Sequence, residues 1–159
     1  VDVVVHGEGE ATFPEMLAAL APSYRAGAVD LEALADVAGL SYRGRGGVVR
    51  TADRDRIEDI NVIPSPYLTG LYDAMSGGAI TVAMLETNRG CPYSCTFCDW
   101  GSATASRIRK FDLDRVFGEL EWLAMNKVER VFVVDANSGI MQRDVEIARH
   151  VAQLHRTYG

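Results

Sequence analysis

The sequence predicts an α/β fold in which strands alternate with helices. An apolar, largely β-branched run at residues 1–5 precedes a turn and a helical pattern, and two further units of this kind follow residue 78. Such runs are typical of buried strands in parallel sheets. A chain of 159 residues, 48% of them hydrophobic, can bury one ordinary core or two small ones.

The N-terminal unit is predicted to be a strand, a turn and a helix. Residues 1–5 suit a buried strand of a parallel sheet. Thr12 and Glu15 have the spacing of a capping box, and apolar residues continue at helical spacing, which predicts a helix over about 13–24.

The turn between this strand and helix contains Gly7, Glu8 and Gly9. Two glycines in this position are also found in dinucleotide-binding loops, but Thr12 occupies the place of the third glycine. Carboxylates in the turn would repel a pyrophosphate, so we predict no site of that kind. The glycines could equally make only a tight turn and a helix start.

The middle of the sequence predicts small elements and a connection. Residues 30–37 have the pattern of a short helix, and residues 40–51 that of a β-hairpin around a glycine-rich turn at 44–47. Pro64 enforces an extended path within residues 51–78, which we predict to be a linker.

The second half predicts two β/α units. A strand over 79–85 should deliver a loop from its carboxyl end, and Asp112 should cap the helix that follows. A second buried strand is predicted over 128–134 and a second helix over 144–155. This order corresponds to the first two β/α units of a barrel, in which ligands bind at the carboxyl ends of the strands.

All cysteines of the chain fall in the loop after the strand at 79–85. Cys91, Cys95 and Cys98 have the spacing C-x3-C-x2-C, which allows three thiolates to converge on one iron–sulfur cluster. An odd number of cysteines disfavours disulfides. A structural zinc site is the alternative, but it needs a fourth ligand, and the three histidines are far away in sequence.

The motif that runs from Cys91 through Phe97 to Cys98 resembles the cluster motif of the radical S-adenosylmethionine (SAM) superfamily. The longer string at residues 89–101, Arg-Gly-Cys-Pro-Tyr-Ser-Cys-Thr-Phe-Cys-Asp-Trp-Gly, is similar to the branch with a cobalamin-binding domain before the radical domain. The resemblance implies that residues 1–50 end a doubly wound cobalamin-binding domain. Residues 79–159 would then begin a partial (β/α)6 radical SAM barrel, so the chain would be a fragment of a longer protein.

The resemblance also implies cofactors and their ligands. The three cysteines would hold a 4Fe-4S cluster whose open iron binds SAM, and Phe97 would line the adenine side. By position alone, Asp135, Asn137 and Ser138 would contact the amino group of SAM, because the usual Gly-Gly-Glu is missing here. These three are also ordinary turn formers at a strand end.

By the same resemblance, the turn formed by Gly7, Glu8 and Gly9 would lie near the corrin of cobalamin or its nucleotide tail. The implied function is a methyltransferase that acts on a substrate carbon through a 5′-deoxyadenosyl radical. The alternatives are a radical SAM cyclase or rearrangement enzyme, a tRNA methylthiotransferase, and a non-catalytic iron–sulfur or zinc module. The fragment itself is expected to be inactive.

Composition restricts the partners. A net charge of −6 argues against a large nucleic-acid surface. No apolar run approaches the length of a membrane span, so we expect a cytoplasmic protein without a membrane partner. The resemblance implies a small-molecule or peptide substrate and an external electron donor.

Overall fold

The computed structural model describes residues 1–73, 80–98 and 106–159, and has an α/β architecture. The described chain divides into two compact units, Val1–Glu58 and Asp59–Gly159. Its elements in order are β1 (Val3–Val5), α1 (Gly9–Arg25), a 3₁₀ helix (Leu31–Leu34), β2 (Leu40–Gly44), β3 (Gly47–Arg50), a 3₁₀ helix (Ile60–Val62), β4 (Val82–Leu85), β5 (Asn88–Arg89), β6 (Arg109–Lys110), α2 (Leu113–Met125), β7 (Arg130–Val133) and α3 (Gln142–Tyr158).

The Asp99-Trp100-Gly101 part of the cysteine motif and the start of the predicted strand at Ala79 lie outside the described residues. Within the ranges described, no helix combines the length and apolarity needed to cross a bilayer.

The first unit is an antiparallel sheet with α1 and a 3₁₀ helix packed on it. The predicted hairpin is confirmed, because β2 and β3 pair antiparallel from Ser41–Arg50 to Gly44–Gly47. The predicted parallel strand at residues 1–5 is wrong: β1 pairs antiparallel with β2, with Val3 opposite Tyr42. An apolar run does not specify the direction of its partner, and the hairpin offers the nearest free edge. The buried core residues are Met16, Leu34, Val37, Leu40 and Tyr42.

Helix α1 starts earlier than predicted. It begins at Gly9, with Glu8 as the N-cap residue, so Thr12 lies inside the helix and not at its cap. Thr12 is fully buried, and its Oγ1 donates a hydrogen bond to the Ala38 carbonyl oxygen at 3.4 Å. The capping-box prediction is therefore wrong, because the helix begins three residues before Thr12. The predicted helix at 30–37 is reduced to one 3₁₀ turn, which Asp30 caps by accepting from Glu32 N–H at 3.2 Å.

The second unit contains the predicted strand–helix–strand arrangement. Strands β4 and β7 are parallel, in register from Val82–Arg130 to Leu85–Val133, and α2 lies in the connection between them. Val116, Leu120 and Leu123 form the buried stripe of α2. A parallel pair joined through a helix brings the carboxyl ends of both strands to one edge of the sheet.

The expected burial of β7 is wrong. Its four residues are exposed, with Phe132 58% accessible, and within the described residues β7 has β4 as its strand partner. Part of the predicted linker belongs to the second unit. Ile60 and Tyr67 are buried there, and the boundary between the units falls after Glu58.

Candidate active site

The cysteine loop leaves the sheet at the carboxyl end of β4. Strand β5 pairs antiparallel with β6, with Asn88 opposite Lys110, so the two ends of the loop are held side by side. Cys91 N–H donates to Ser106 Oγ at 3.3 Å, and Ser106 N–H donates to the Cys91 carbonyl oxygen at 2.7 Å. Cys91 is therefore hydrogen-bonded to the segment that leads into β6. The candidate site lies at this end of the sheet.

Gly90 is required by the way the loop closes. Its φ is +107°, which side chains other than glycine rarely adopt, and a Cβ built there would lie 2.5 Å from the Arg107 carbonyl oxygen. The glycine before Cys91 thus allows the outgoing and returning backbones to approach each other. Arg89 is neutralised locally, because both oxygens of Glu86 accept from its guanidinium at 2.8 Å.

The three cysteines are free thiols on this loop. Cys91 is half-buried, while Cys95 and Cys98 are exposed and joined by a turn in which Cys98 N–H donates to the Cys95 carbonyl oxygen at 3.1 Å. In the part of the chain that the structure describes, no three Cys, His, Asp or Glu side chains are gathered into a metal site. Three uncommitted thiols on one short loop nevertheless match the donor set of an iron–sulfur cluster. Phe97 is 90% exposed beside them.

Two of the three histidines make identifiable side-chain contacts in the structure. His6 shares a hydrogen bond of 2.8 Å with Ser41 Oγ. His150 stacks on Phe117 with ring centroids 4.3 Å apart, which is the packing role expected of a half-buried histidine. Among the described residues, neither of them is gathered with the cysteines into a metal site.

The residues after β7 reach back to the entrance of the cysteine loop. The Asp135 carboxylate accepts hydrogen bonds from Thr87 N–H at 2.7 Å and from Asn88 N–H at 3.1 Å. Asn137 Nδ2 donates to the Gly90 carbonyl oxygen at 2.8 Å, and its Oδ1 is buried without a partner among the described residues. Ser138 is exposed. The structure thus brings Asp135 and Asn137 to the loop that carries the cysteines.

Three residues of this site were missed by sequence reasoning: Thr87, Asn88 and Ser106. Thr87 and Asn88 are 3% and 1% exposed, although both are polar. Their partner Asp135 is 48 and 47 residues away, so no local pattern reveals the contact. The available signal was their place directly after an apolar strand, where the carboxyl edge of a parallel sheet was predicted.

The turn with Gly7, Glu8 and Gly9 lies in the first unit. Gly7 has a φ of +71° with open space around the position of a Cβ, and Gly9 is the first residue of α1. The Glu8 carboxylate accepts from Ile57 N–H at 2.8 Å, which ties the turn to the last residues of that unit. Glu8 therefore has a structural role of its own in this turn.

Comparison with known proteins assigns the family. No protein-family model matches the chain. TokK from Streptomyces tokunonensis, described as a cobalamin-dependent radical SAM methyltransferase, is 44% identical over the whole chain, which covers 23% of TokK. The chain belongs to the cobalamin-dependent branch of the radical SAM enzymes. The 2-(S-pantetheinyl)-carbapenam-3-carboxylate methyltransferase of Streptantibioticus cattleyicolor is also 44% identical over the whole chain, again with 23% of the relative covered.

A solved structure agrees with this assignment at the level of the fold. The cobalamin-dependent SAM radical enzyme OxsB, solved with aqua-cobalamin bound, aligns with 96% of the chain at a TM-score of 0.59 and 20% identity. The match covers 21% of the OxsB chain. The predicted fold class, the end of a cobalamin-binding domain followed by the start of a radical SAM barrel, is confirmed. The chain spans about a quarter of the length of its radical SAM relatives.

Proposed function

We propose that this chain is part of a cobalamin-dependent radical SAM methyltransferase that acts on a carbon of a small molecule. The observation that carries the proposal is the loop with Cys91, Cys95 and Cys98 at the carboxyl edge of a parallel strand pair. Ligands bind at this edge in α/β folds. The chain is 44% identical to two proteins that are named methyltransferases.

The three thiols fit a 4Fe-4S cluster because all are free and three ligands leave one iron for SAM. When bound, the cluster and SAM supply a 5′-deoxyadenosyl radical that removes a hydrogen atom from the substrate carbon, while cobalamin supplies the methyl group. The protein would bind the cofactors and the substrate, orient them, and exclude water from the site. The two hydrogen bonds between Cys91 and Ser106 would hold the first ligand in place.

We assign the SAM contact first to Asn137. A buried acceptor without a partner is costly, and an ammonium group bound beside the Gly90 carbonyl would satisfy Asn137 Oδ1. Exposed Ser138 could add a hydroxyl contact, and exposed Phe97 offers an apolar face to adenine. The Asp135 carboxylate is already occupied by Thr87 and Asn88, so it has less capacity for a ligand.

We extend the proposal to the two domains. Residues 1–50 would end the cobalamin-binding domain, residues 51–78 would link it to the radical domain, and residues 79–159 would begin the latter. Gly7, Glu8 and Gly9 would lie near the corrin or its nucleotide tail. Gly7 has a φ of +71° and no side chain, so a ligand could approach the backbone of this turn closely.

Partners follow from the same chemistry. An external electron donor would reduce the cluster, and the charge of −6 disfavours a nucleic-acid substrate. We also propose a cytoplasmic location, where thiols stay reduced and free cysteines persist.

Metal analysis of the anaerobically reconstituted full-length protein tests the cluster. We expect about four irons and four sulfides for each chain, and a change in the electron paramagnetic resonance (EPR) spectrum of the reduced cluster when SAM is added. Cys95→Ala should lose the cluster, whereas the neighbouring Ser94→Ala should keep it. One zinc without sulfide would refute the proposal, and an EPR spectrum unchanged by saturating SAM would favour an electron carrier.

Product stoichiometry tests the methyl transfer. One SAM would methylate the cobalt and a second would supply the radical, because one molecule cannot donate both groups. S-Adenosylhomocysteine and 5′-deoxyadenosine should therefore form in equal amounts with the methylated product. Formation of 5′-deoxyadenosine without S-adenosylhomocysteine would identify a cyclase or rearrangement enzyme instead.

A further inference from the structure

The Asp135 carboxylate accepts four hydrogen bonds from two consecutive residues. Its Oδ1 accepts from the backbone N–H groups of Thr87 and Asn88 at 2.7 and 3.1 Å. Its Oδ2 accepts from Thr87 Oγ1 at 2.5 Å and from Asn88 Nδ2 at 2.9 Å. Hydrogen bonds to an ionised acceptor are about twice as strong as neutral ones, so four of them make a firm link between two strand ends.

The link lies on the direct path to the first cysteine. Thr87 is the last residue between β4 and β5, and Asn88 is the first residue of β5. Cys91 follows Asn88 by three positions. Both are almost fully buried, so their positions are set by internal contacts and not by solvent. Gly90 follows Asn88 by two positions, and its carbonyl oxygen accepts a hydrogen bond from Asn137, which lies in the same segment after β7 as Asp135.

The geometry leaves the Asp135 carboxylate little freedom to bind a ligand directly. A carboxylate has about four lone-pair sites, and four donors already point at them. A ligand could bind it only in place of a donor that is buried and would lose its partner, which is unfavourable.

We propose that Asp135 is a positioning residue that holds Thr87 and Asn88, and through them Cys91, and that it does not contact SAM. This inference rests on the proposed function, since it concerns the loop that would carry the cluster. Groups behind the metal ligands orient those ligands, and losing them commonly lowers metal affinity about 10–100-fold.

Two variants of the full-length protein separate positioning from contact. Asp135→Asn keeps the shape of the side chain but replaces one acceptor oxygen with an NH2 group, which would face the donors of Thr87 and Asn88. Thr87→Val removes the hydroxyl on the opposite side of the same link and leaves Asp135 charged. If Asp135 positions the loop, both variants should release iron to a chelator about tenfold faster and shift the cluster reduction potential in the same direction, without SAM present. Thr87→Ser, which retains the hydroxyl, should behave as wild type.

Asp144→Asn is the matched control. The Asp144 carboxylate also accepts two backbone N–H groups, from Gly139 and Met141 at 2.9 Å, but these belong to the turn before α3. This variant should leave iron release and the potential unchanged. Amide hydrogen exchange gives a readout without a cluster: protection of Thr87 and Asn88 should fall about tenfold in Asp135→Asn and stay constant in Asp144→Asn.

The outcomes distinguish this inference from the proposed function. A wild-type protein that holds no four-iron cluster contradicts the proposed function itself. If the wild type holds the cluster but iron release and potential are unchanged in both variants, the positioning role is overturned. It is also overturned if Asp135→Asn weakens SAM binding with an unchanged cluster signature while Thr87→Val has no effect, because that pattern indicates a direct contact.

Discussion

At the scale of the residue, Tyr67 is one side chain that satisfies two backbone groups of a strand. Its hydroxyl donates to the Met84 carbonyl oxygen at 2.6 Å and accepts from Met84 N–H at 3.2 Å. Strand edges expose such groups, and a phenol that is both donor and acceptor can cover a pair of them. Burial raises the pKa of Tyr67, while the hydrogen bond to Met84 acts in the opposite direction. The folded state therefore favours the neutral phenol.

Tyr67→Phe should lower the free energy of unfolding by about 1–3 kcal/mol at neutral pH, because the part-buried N–H and carbonyl groups of Met84 lose their partner. Since the pKa of Tyr67 is raised on folding, its contribution is complete below about pH 10 and is lost as the pH rises through the folded-state pKa. The difference between wild type and variant should thus narrow at alkaline pH. Urea denaturation at several pH values measures it.

The control for this prediction is Tyr24→Phe. Tyr24 is 73% exposed, so its replacement should change stability by less than about 0.5 kcal/mol at any pH. A difference between wild type and Tyr67→Phe that stays constant into alkaline pH would contradict the role given to the neutral phenol.

At the scale of the element, the β5–β6 pair depends on Gly90. Gly90→Ala combines a φ of +107° with a Cβ 2.5 Å from the Arg107 carbonyl oxygen. We expect a loss of about 1–3 kcal/mol or more in unfolding free energy, since residues other than glycine are strained at such angles. Thermal denaturation measures the loss, and amide exchange of Arg89 and Arg109 should show that it is local to this pair.

Gly46→Ala is the matched substitution, because nothing lies within 4 Å of its Cβ position and its φ is not positive. It should be close to neutral. Equal losses in the two variants would mean that glycine content, and not the close approach to Arg107, determines the stability.

Elements defined by local chemistry were predictable, whereas those defined by distant contacts were not. The hairpin at 40–51 was predicted correctly because its glycines specify the turn within a few residues. The direction of β1 was predicted wrongly because it depends on β2, which starts 35 residues after β1 ends. Thr12 had a capping pattern, yet α1 begins at Gly9, and the Thr12 hydroxyl contacts Ala38, 26 residues away.

The same distinction applies to the candidate site. Three cysteines within eight residues carry their own signal, and the family they indicated is the one that the relatives support. The four bonds of Asp135 to Thr87 and Asn88 join positions 47 and 48 residues apart, so only the folded chain reveals them. Sequence reasoning placed Asp135 at the carboxyl edge of the sheet, but its contacts with Thr87 and Asn88 could not be predicted from the sequence.

At the scale of the whole molecule, the core of the second unit and the cysteine loop differ in how many of their side chains are buried. Phe111, Val116 and Leu123 are buried in the second unit, with exposures of 2%, 0% and 2%. Cys95, Phe97 and Cys98 are exposed, so few contacts with other described residues fix this part of the loop. Metal binding and local folding are coupled in such cases, because the ligands gain fixed positions only when the metal is bound.

Removing the cluster from the full-length protein should therefore make the cysteine loop more mobile and leave the core of the second unit folded. Amide exchange should become faster over residues 91–98 in the chelator-treated protein, and helix α2 should keep its protection. Cys95→Ala should reproduce the chelator-treated pattern, and Ser94→Ala should reproduce that of the reconstituted protein. Faster exchange in α2 as well would contradict this division, because it would mean that the apolar core of the second unit folds only around the metal.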